Sequence, residues 1–449
     1  MKKNITSLLM SLMLSLFVLA SCGNNTTTTE TTTKEATTEE ASQTTTEDAN
    51  KTAEVATEET TDTNNAGEET EIVFWHAMGA GQGEALQKLV AEFEETNPNI
   101  KVNLQFQGNY GDLNQMLVAA MQSPQDLPTI TQANQDLMLQ FQEANLVTDL
   151  TDMVKGENGI EDYEDILPGL REEIEQTGRI MALPFNKSTE VFWYNKTLFD
   201  ELGLNPPTNY DELKEVAKSI YDAKGYAGVG FDSLPNMYVS YLYNQGIEVS
   251  KDFDVTSQES VDAINYYQEG MKEGYFRIPG TDQFMSGPFA NEQVGAYMGS
   301  IAGEVYVRDG VDGKFEYAAA PYPAKYSPQQ GANIYMFESA TDEQKKAAFE
   351  LEKFLLSKDS QIQWAVATGY MPSRTSGVED DEYKNSDSKI AAILDEASKD
   401  LYFRKASLGG QQAFDDLNAF LEQVFTNPDA DVKAELEAFA PQFQSSYAQ

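Results

Sequence analysis

The chain has 449 residues with 73 acidic against 31 basic side chains, a formal net charge of −42, one histidine and one cysteine. A field of that sign repels nucleic acid and anionic lipid headgroups, so a nucleic-acid partner is excluded. One histidine and one cysteine leave no metal-ligand spacing and no Ser-His-Asp arrangement except through His76, and nothing in the pattern asks for a cofactor.

In chain order, Lys2-Lys3 precede an apolar run from Ile5 to Ala20 that ends in Leu19-Ala20-Ser21-Cys22. The run is too short to span a bilayer and reads as a secretory signal over residues 1–22. Residues 23–70 are nearly all Thr, Glu, Ala, Asn and Asp and carry a charge of −10; with +2 on residues 1–22 this leaves −34 on residues 71–449. Such a segment buries too little apolar surface to offset chain entropy and is expected to be a disordered tether, reaching about 40 Å.

From Glu71 the pattern becomes globular. Glu71–Ala77 is a short apolar strand, followed by a helix with Leu86, Leu89, Val90 and Phe93 on one face. Ile100, Val102, Leu104 and Phe106 then alternate with polar residues, which makes a βαβ unit and a parallel sheet. A second amphipathic helix carries Leu113, Met116 and Leu117, and Pro128–Gln132 is a strand. In an open α/β sheet of this kind, ligands meet the C-terminal ends of the strands. Leu183–Lys196 is the expected crossing between two lobes: Pro184 cannot donate to a ladder, and Thr189–Tyr194 is β-branched and aromatic. The chain should leave one sheet at Pro184 and enter another after Asn186. Beyond it, Thr208 with Asp211 and Thr256 with Glu259 have capping-box spacing, and short strands are expected at Gly295–Gly299 and Tyr317–Pro321. Thr341 should open a helix, and the remainder is helical with breaks near 376–388, 409–410 and 427–428.

Most acidic residues, including Glu92, Glu94, Glu95, Glu172, Glu173 and Asp380–Glu382, read as solvated surface. Gly79-Ala80-Gly81-Gln82-Gly83 lacks the lysine of a P-loop and is a turn before a helix. His76 ends an apolar strand and faces the expected cleft.

Several stretches together resemble the lipid-anchored or periplasmic solute-binding proteins of ABC importers for sugars, and within them the glycerol-3-phosphate-binding branch. They are Phe74-Trp75-His76, Gly108-Asn109-Tyr110-Gly111, Pro184–Thr189 with Tyr194-Asn195-Lys196, and Thr368–Pro372. Leu-Ala-Ser-Cys22 resembles a lipobox, in which the cysteine is lipidated. The resemblance implies an α/β, two-lobe periplasmic-binding-protein (type II) fold with a hinge and an interlobe cleft. Residues 71–184 and 300–365 would form one lobe, and 185–299 and 366–449 the other. It further implies a monomer that binds a sugar, polyol or glycerophospho compound, partners ABC permease subunits, is held at the outer face of a bacterial membrane by its lipid anchor, and is not an enzyme. Carried over by position, the ligand contacts are Tyr110, Ser188, Ser300, Gly331 and Tyr370, with Gln135 where the branch has glutamate and His76 as a further contact. Ser407 stands where the branch has arginine, with Arg404 and Lys405 nearby, which puts glycerol phosphate in doubt. The alternatives are a surface carbohydrate-active enzyme, such as a glycosidase with two convergent carboxylates, and a sensor or adhesin.

Overall fold

A computed structural model describes residues 69–447 apart from residue 428; the expected signal, Cys22 and the tether as far as residue 68 lie outside the described residues. Among the described residues there are ten strands: β1 (Thr70–His76), β2 (Ile100–Phe106), β3 (Ile130–Ala133), β4 (Leu183–Asn195), β5 (Val229–Phe231), β6 (Phe276–Arg277), β7 (Ala296–Ser300), β8 (Tyr317–Ala320), β9 (Ser327–Met336) and β10 (Leu401–Tyr402). They follow the order β2-β1-β3-β9-β4-β7-β5-β6, with β8 on β4 and β10 on β9. β1 pairs β2 and β3 in parallel, as the alternating pattern of Ile100–Phe106 requires for a βαβ unit.

The architecture is α/β in two lobes, and β4 belongs to both. Residues 183–189 pair with β9 in the first sheet, and residues 190–195 pair with β7 and β8 in the second. The expected exit at Pro184 is therefore not where the sheets change: the strand runs through it, taking up the missing donor as a register irregularity between Pro184 and Asn186, and changes partners after Thr189. After β8 in the second sheet the chain returns to the first sheet through β9, whose Gln329–Ile334 pair β4 and whose Asn333–Met336 pair β3.

Packing follows the sheets. One hydrophobic cluster covers the second sheet with the helices Tyr210–Lys224, Leu234–Asn244, Gln258–Glu273, Gly410–Thr426 and Val432–Ser446. Another gathers Phe74, Leu86 and Phe93 with Trp193, Tyr297, Trp364, Tyr370 and Tyr383. Strand pairing thus places 317–320 in the second sheet, and Arg374 bridges to Ile166 and pairs with Asp165 of the first lobe, whereas the sequence expectation had put each on the other side. The helix starts also shift by one residue: Asn209 accepts from the Glu212 amide and Ser257 from Ser260, while Thr341 opens its helix with a full capping box to Gln344. No helix among the described residues is long and apolar enough to cross a membrane.

Two positions carry testable strain. Gly331 has φ +90°, and a Cβ there would run into the Asn186 carbonyl oxygen across the β4–β9 ladder. Gly331→Ala should cost about 2 kcal/mol or more in denaturant unfolding, combining left-handed strain with displacement of the crossing strand. Glu352, in the helix Asp342–Leu355 that packs on β1, is 1 % exposed, with neither carboxyl oxygen hydrogen-bonded. Burial alone pushes its pKa well above the usual carboxylate range. The folded chain keeps a proton that the unfolded chain releases, so stability should fall as pH rises above about 4.5 and level off above the folded-state pKa. Glu352→Met should flatten that slope and raise stability at pH 7–8 by about 1–3 kcal/mol, read by urea unfolding at several pH values.

Candidate functional site

β4 is a strand whose polar residues 186 to 190 are all at most 3 % exposed. Buried polar groups persist only when paired, and their partners define the site. The Asn186 side-chain amide donates to the Tyr110 hydroxyl at 2.7 Å and accepts from Gln132 Nε2 at 3.0 Å. Gln132 Oε1 in turn accepts the Ala77 amide at 3.2 Å. The Tyr370 hydroxyl lies against Asn186 and Tyr110, and its ring stacks on Trp364 at 5.6 Å. A line of hydrogen bonds therefore runs from the end of β1 through β3 to the crossing strand and the two tyrosines. Burial raises both tyrosine pKa values, so both hydroxyls are neutral donor-acceptors.

The opposite face of β4 is fixed by an ion pair. Lys187 Nζ lies 2.8 Å from Glu173 and 3.3 Å from Asn333 Oδ1, and Gln329 and Asn333 also donate to the Glu173 carboxylate. Glu173 is thus buried rather than solvated surface. An adjacent lysine and two amide donors offset its desolvation.

The structure brings four of the expected site residues together. Tyr110 opens the helix Tyr110–Ala120, whose start is fixed by the Asn109 capping box, and reaches back to Asn186. Ser188 is opposite Gln330 and Gly331 opposite Lys187 in the β4–β9 ladder. Tyr370 follows the left-handed Gly369, and the next amide, of Met371, donates to the Lys187 carbonyl at 2.9 Å. The other three lie apart. Ser300 ends β7 opposite Glu190, and its hydroxyl accepts the Ala302 amide at 3.1 Å. Gln135 donates to the Glu173 carbonyl and accepts from Gln176. His76 is buried, its Nδ1 accepting the Met78 amide at 3.2 Å; burial lowers its pKa to about 4, against the opposite pull of that amide, so the imidazole is neutral at pH 7.

Arg404 is committed elsewhere. Its guanidinium pairs with Asp136 across the lobes and lies over the Phe414 ring, while the Ser407 amide donates to the other Asp136 oxygen at 3.0 Å. The sequence reading passed over Gln132, Asn186 as a side-chain partner, and Glu190. A partial signal was present: Asn186, Ser188 and Glu190 fall at every second position, the spacing that puts all three on one face of a strand, although Lys187 and Thr189 between them are polar as well. Among the described residues no group of three or more His, Cys, Asp or Glu side chains is placed to hold a metal ion.

The family described as bacterial extracellular solute-binding protein matches residues 88–392. An sn-glycerol-3-phosphate-binding periplasmic protein of Agrobacterium fabrum is 25 % identical over 335 residues, 69 % of this chain and 76 % of its own. A counterpart in Yersinia pestis is 25 % identical over 339 residues, covering 70 % and 76 %. Among solved structures, a Mycobacterium tuberculosis protein in complex with glycerophosphocholine superposes with a TM-score of 0.75 at 22 % identity, covering 84 % of this chain and 98 % of that one. The acarbose-binding GacH receptor of Streptomyces glaucescens gives 0.73 at 20 % identity, covering 85 % and 100 %. These two carry the fold, and the family match carries membership: the chain belongs to the bacterial extracellular solute-binding proteins.

Proposed function

We propose that the protein captures a sugar, polyol or glycerophospho-type solute between its lobes and delivers it unchanged to the permease subunits of an ABC importer. The observation that carries this reading is the cluster of Tyr110, Asn186 and Tyr370 on the strand shared by both lobes. Its hydroxyl and amide groups can exchange partners with the hydroxyls of a solute, and Ser188 and Gly331 lie beside it in the ladder. A solute that touches both sheets at this level binds the closed form better than the open one and so draws the lobes together, with β4 and β9 as the hinge. Cys22 is then the lipid attachment, residues 23–70 the tether, and the protein a monomer at the outer face of the membrane.

The relatives' ligands, glycerol-3-phosphate, glycerophosphocholine and acarbose, differ in charge. For this chain the electrostatics favour a neutral sugar or polyol or a phosphodiester over a phosphate monoester. Ser407 offers no fork to a phosphate, Arg404 is already paired with Asp136, and the whole chain is strongly acidic. Thermal-shift measurements on the purified protein with maltose, maltotriose, glycerol, glycerophosphocholine and glycerol-3-phosphate test this. A solute at a hundred times its Kd should stabilise by about 2.7 kcal/mol. The expected ranking puts a neutral or phosphodiester solute above glycerol-3-phosphate, with Asn186→Ala losing at least about tenfold in affinity for it. Glycerol-3-phosphate as the strongest stabiliser, or hydrolysis of an oligosaccharide by the purified protein, would contradict the reading.

A further inference from the structure

The polar face of β4 does not stop at Ser188. Strand periodicity puts Glu190 on the same side, and register widens that side in both directions: Gln330 of β9 is opposite Ser188, and Ser300 of β7 is opposite Glu190. Asp232, the residue after β5, lies beside them, its amide donating to the Met298 carbonyl at 2.9 Å and its carboxyl lying over the β7 backbone at Gly299. Asp232 thus follows the C-terminal end of β5, and Glu190, where antiparallel β4 enters the second sheet, lies level with the C-terminal end of β7, the edge at which an open α/β sheet meets its ligand.

Their partners are neutral. Glu190 accepts from Asn236 Nδ2 at 2.8 Å and Gln330 Nε2 at 3.0 Å, and Asp232 accepts from the Met285 amide at 2.6 Å. The other titratable groups facing Glu190 are Asp232 and the phenols Tyr267, Tyr322 and Tyr402, all three pushed above the ordinary tyrosine range and therefore neutral. Next to Glu190 on the same face, Ser188 is 2 % exposed. Two acceptors held by neutral donors without a cation, beside a buried hydroxyl, form a site suited to hydrogen-bond donors.

We propose that Glu190 and Asp232 are the specificity-determining acceptors of this site, receiving hydroxyl groups of an uncharged solute on the second lobe and turning away phosphate monoesters. The inference rests on the solute-capture reading above and names the chemistry of its second-lobe half. A solute hydroxyl donating to an ionised carboxylate makes a charge-assisted bond, about twice as strong as a neutral one. A phosphate monoester brought to the same place meets like charge at low dielectric. Glu190 and Asp232 are each pushed up to about 7, mainly by burial, with mutual repulsion adding to Asp232. The bound hydroxyl needs the ionised form, so a proton must leave before the solute binds. Affinity should therefore fall as pH drops below about 7, by up to about tenfold per unit for one proton.

Isothermal titration of the full mature chain with maltotriose, maltose and glycerol-3-phosphate, at pH 5.5, 6.5 and 7.5, tests the inference. Glu190→Gln keeps the shape and can still accept from Asn236 and Gln330, and Asp232→Asn is a second variant should the first fold poorly. The expected result is a neutral sugar that binds wild type more weakly at pH 5.5 than at 7.5, an affinity lower by about tenfold or more in either variant at pH 7.5, and a flattened pH dependence in both. Glycerol-3-phosphate should gain relative to the sugar in the variants. Unchanged sugar affinity and an unchanged pH profile in both variants would overturn the inference and leave the capture reading standing. Failure of the sugars alone to bind wild type would overturn the inference, and failure of the sugars and glycerol-3-phosphate alike would overturn the reading with it.

Discussion

The structure depends on one constraint: a single strand must serve two sheets, and where it changes partners its buried side chains are polar. Asn186, Lys187, Ser188, Thr189 and Glu190 are all nearly inaccessible to solvent. An unpaired amide or charge in such a place costs about 1–3 kcal/mol or more, so the surroundings are built to answer each one. Gln132, Tyr110 and Tyr370 answer Asn186, Glu173 and Asn333 answer Lys187, and Asn236 with Gln330 answers Glu190. Thr189 pairs with Ser327 at the start of the second crossing strand.

Function follows from that arrangement. The groups that satisfy the crossing strand come from different elements: β3, the start of the helix Tyr110–Ala120, the segment after Gly369, the helix Leu234–Asn244 and β9. A solute that replaces some of these internal partners gains bonds to both lobes at once, so binding and closure become the same event. The Asp136–Arg404 pair, with Asn134 bonded to Gln411 at 2.7 Å, adds a second bridge between the lobes away from the crossing strand. It engages the Arg404 guanidinium. The chemistry left to the ligand is that of hydroxyls, amides and two acidic acceptors.

Much of the fold was legible because its signals are local. The strict alternation of Ile100–Phe106, the helical spacing of Leu86, Leu89, Val90 and Phe93, and the β-branched and aromatic run Thr189–Tyr194 each read correctly without knowledge of distant partners. β9 was not legible: it begins Ser327-Pro328-Gln329-Gln330-Gly331, a composition that suits a turn, and only the pairing with β4 holds it extended. Pro184 misled for the same reason, since a register irregularity absorbs its missing donor. In the site, Tyr110 and Tyr370 were recognisable as tyrosines at element ends beside glycines. Asn186, Gln132 and Glu190 were harder, because a polar residue inside a strand is ordinarily taken to face water, and whether its face is buried depends on contacts far along the chain. Glu173 shows the cost of that assumption: Glu172-Glu173 looks like surface, yet helix geometry turns one of the two inward to Lys187.

The central claim is that solute binds at the level where β4 changes sheets. Hydrogen–deuterium exchange with and without a saturating neutral solute tests it most directly. The account predicts slower exchange confined to the amides of residues 109–112, 186–190, 231–233, 300–302, 329–332 and 369–371, which come from both lobes. Protection elsewhere, or in one lobe only, would contradict it.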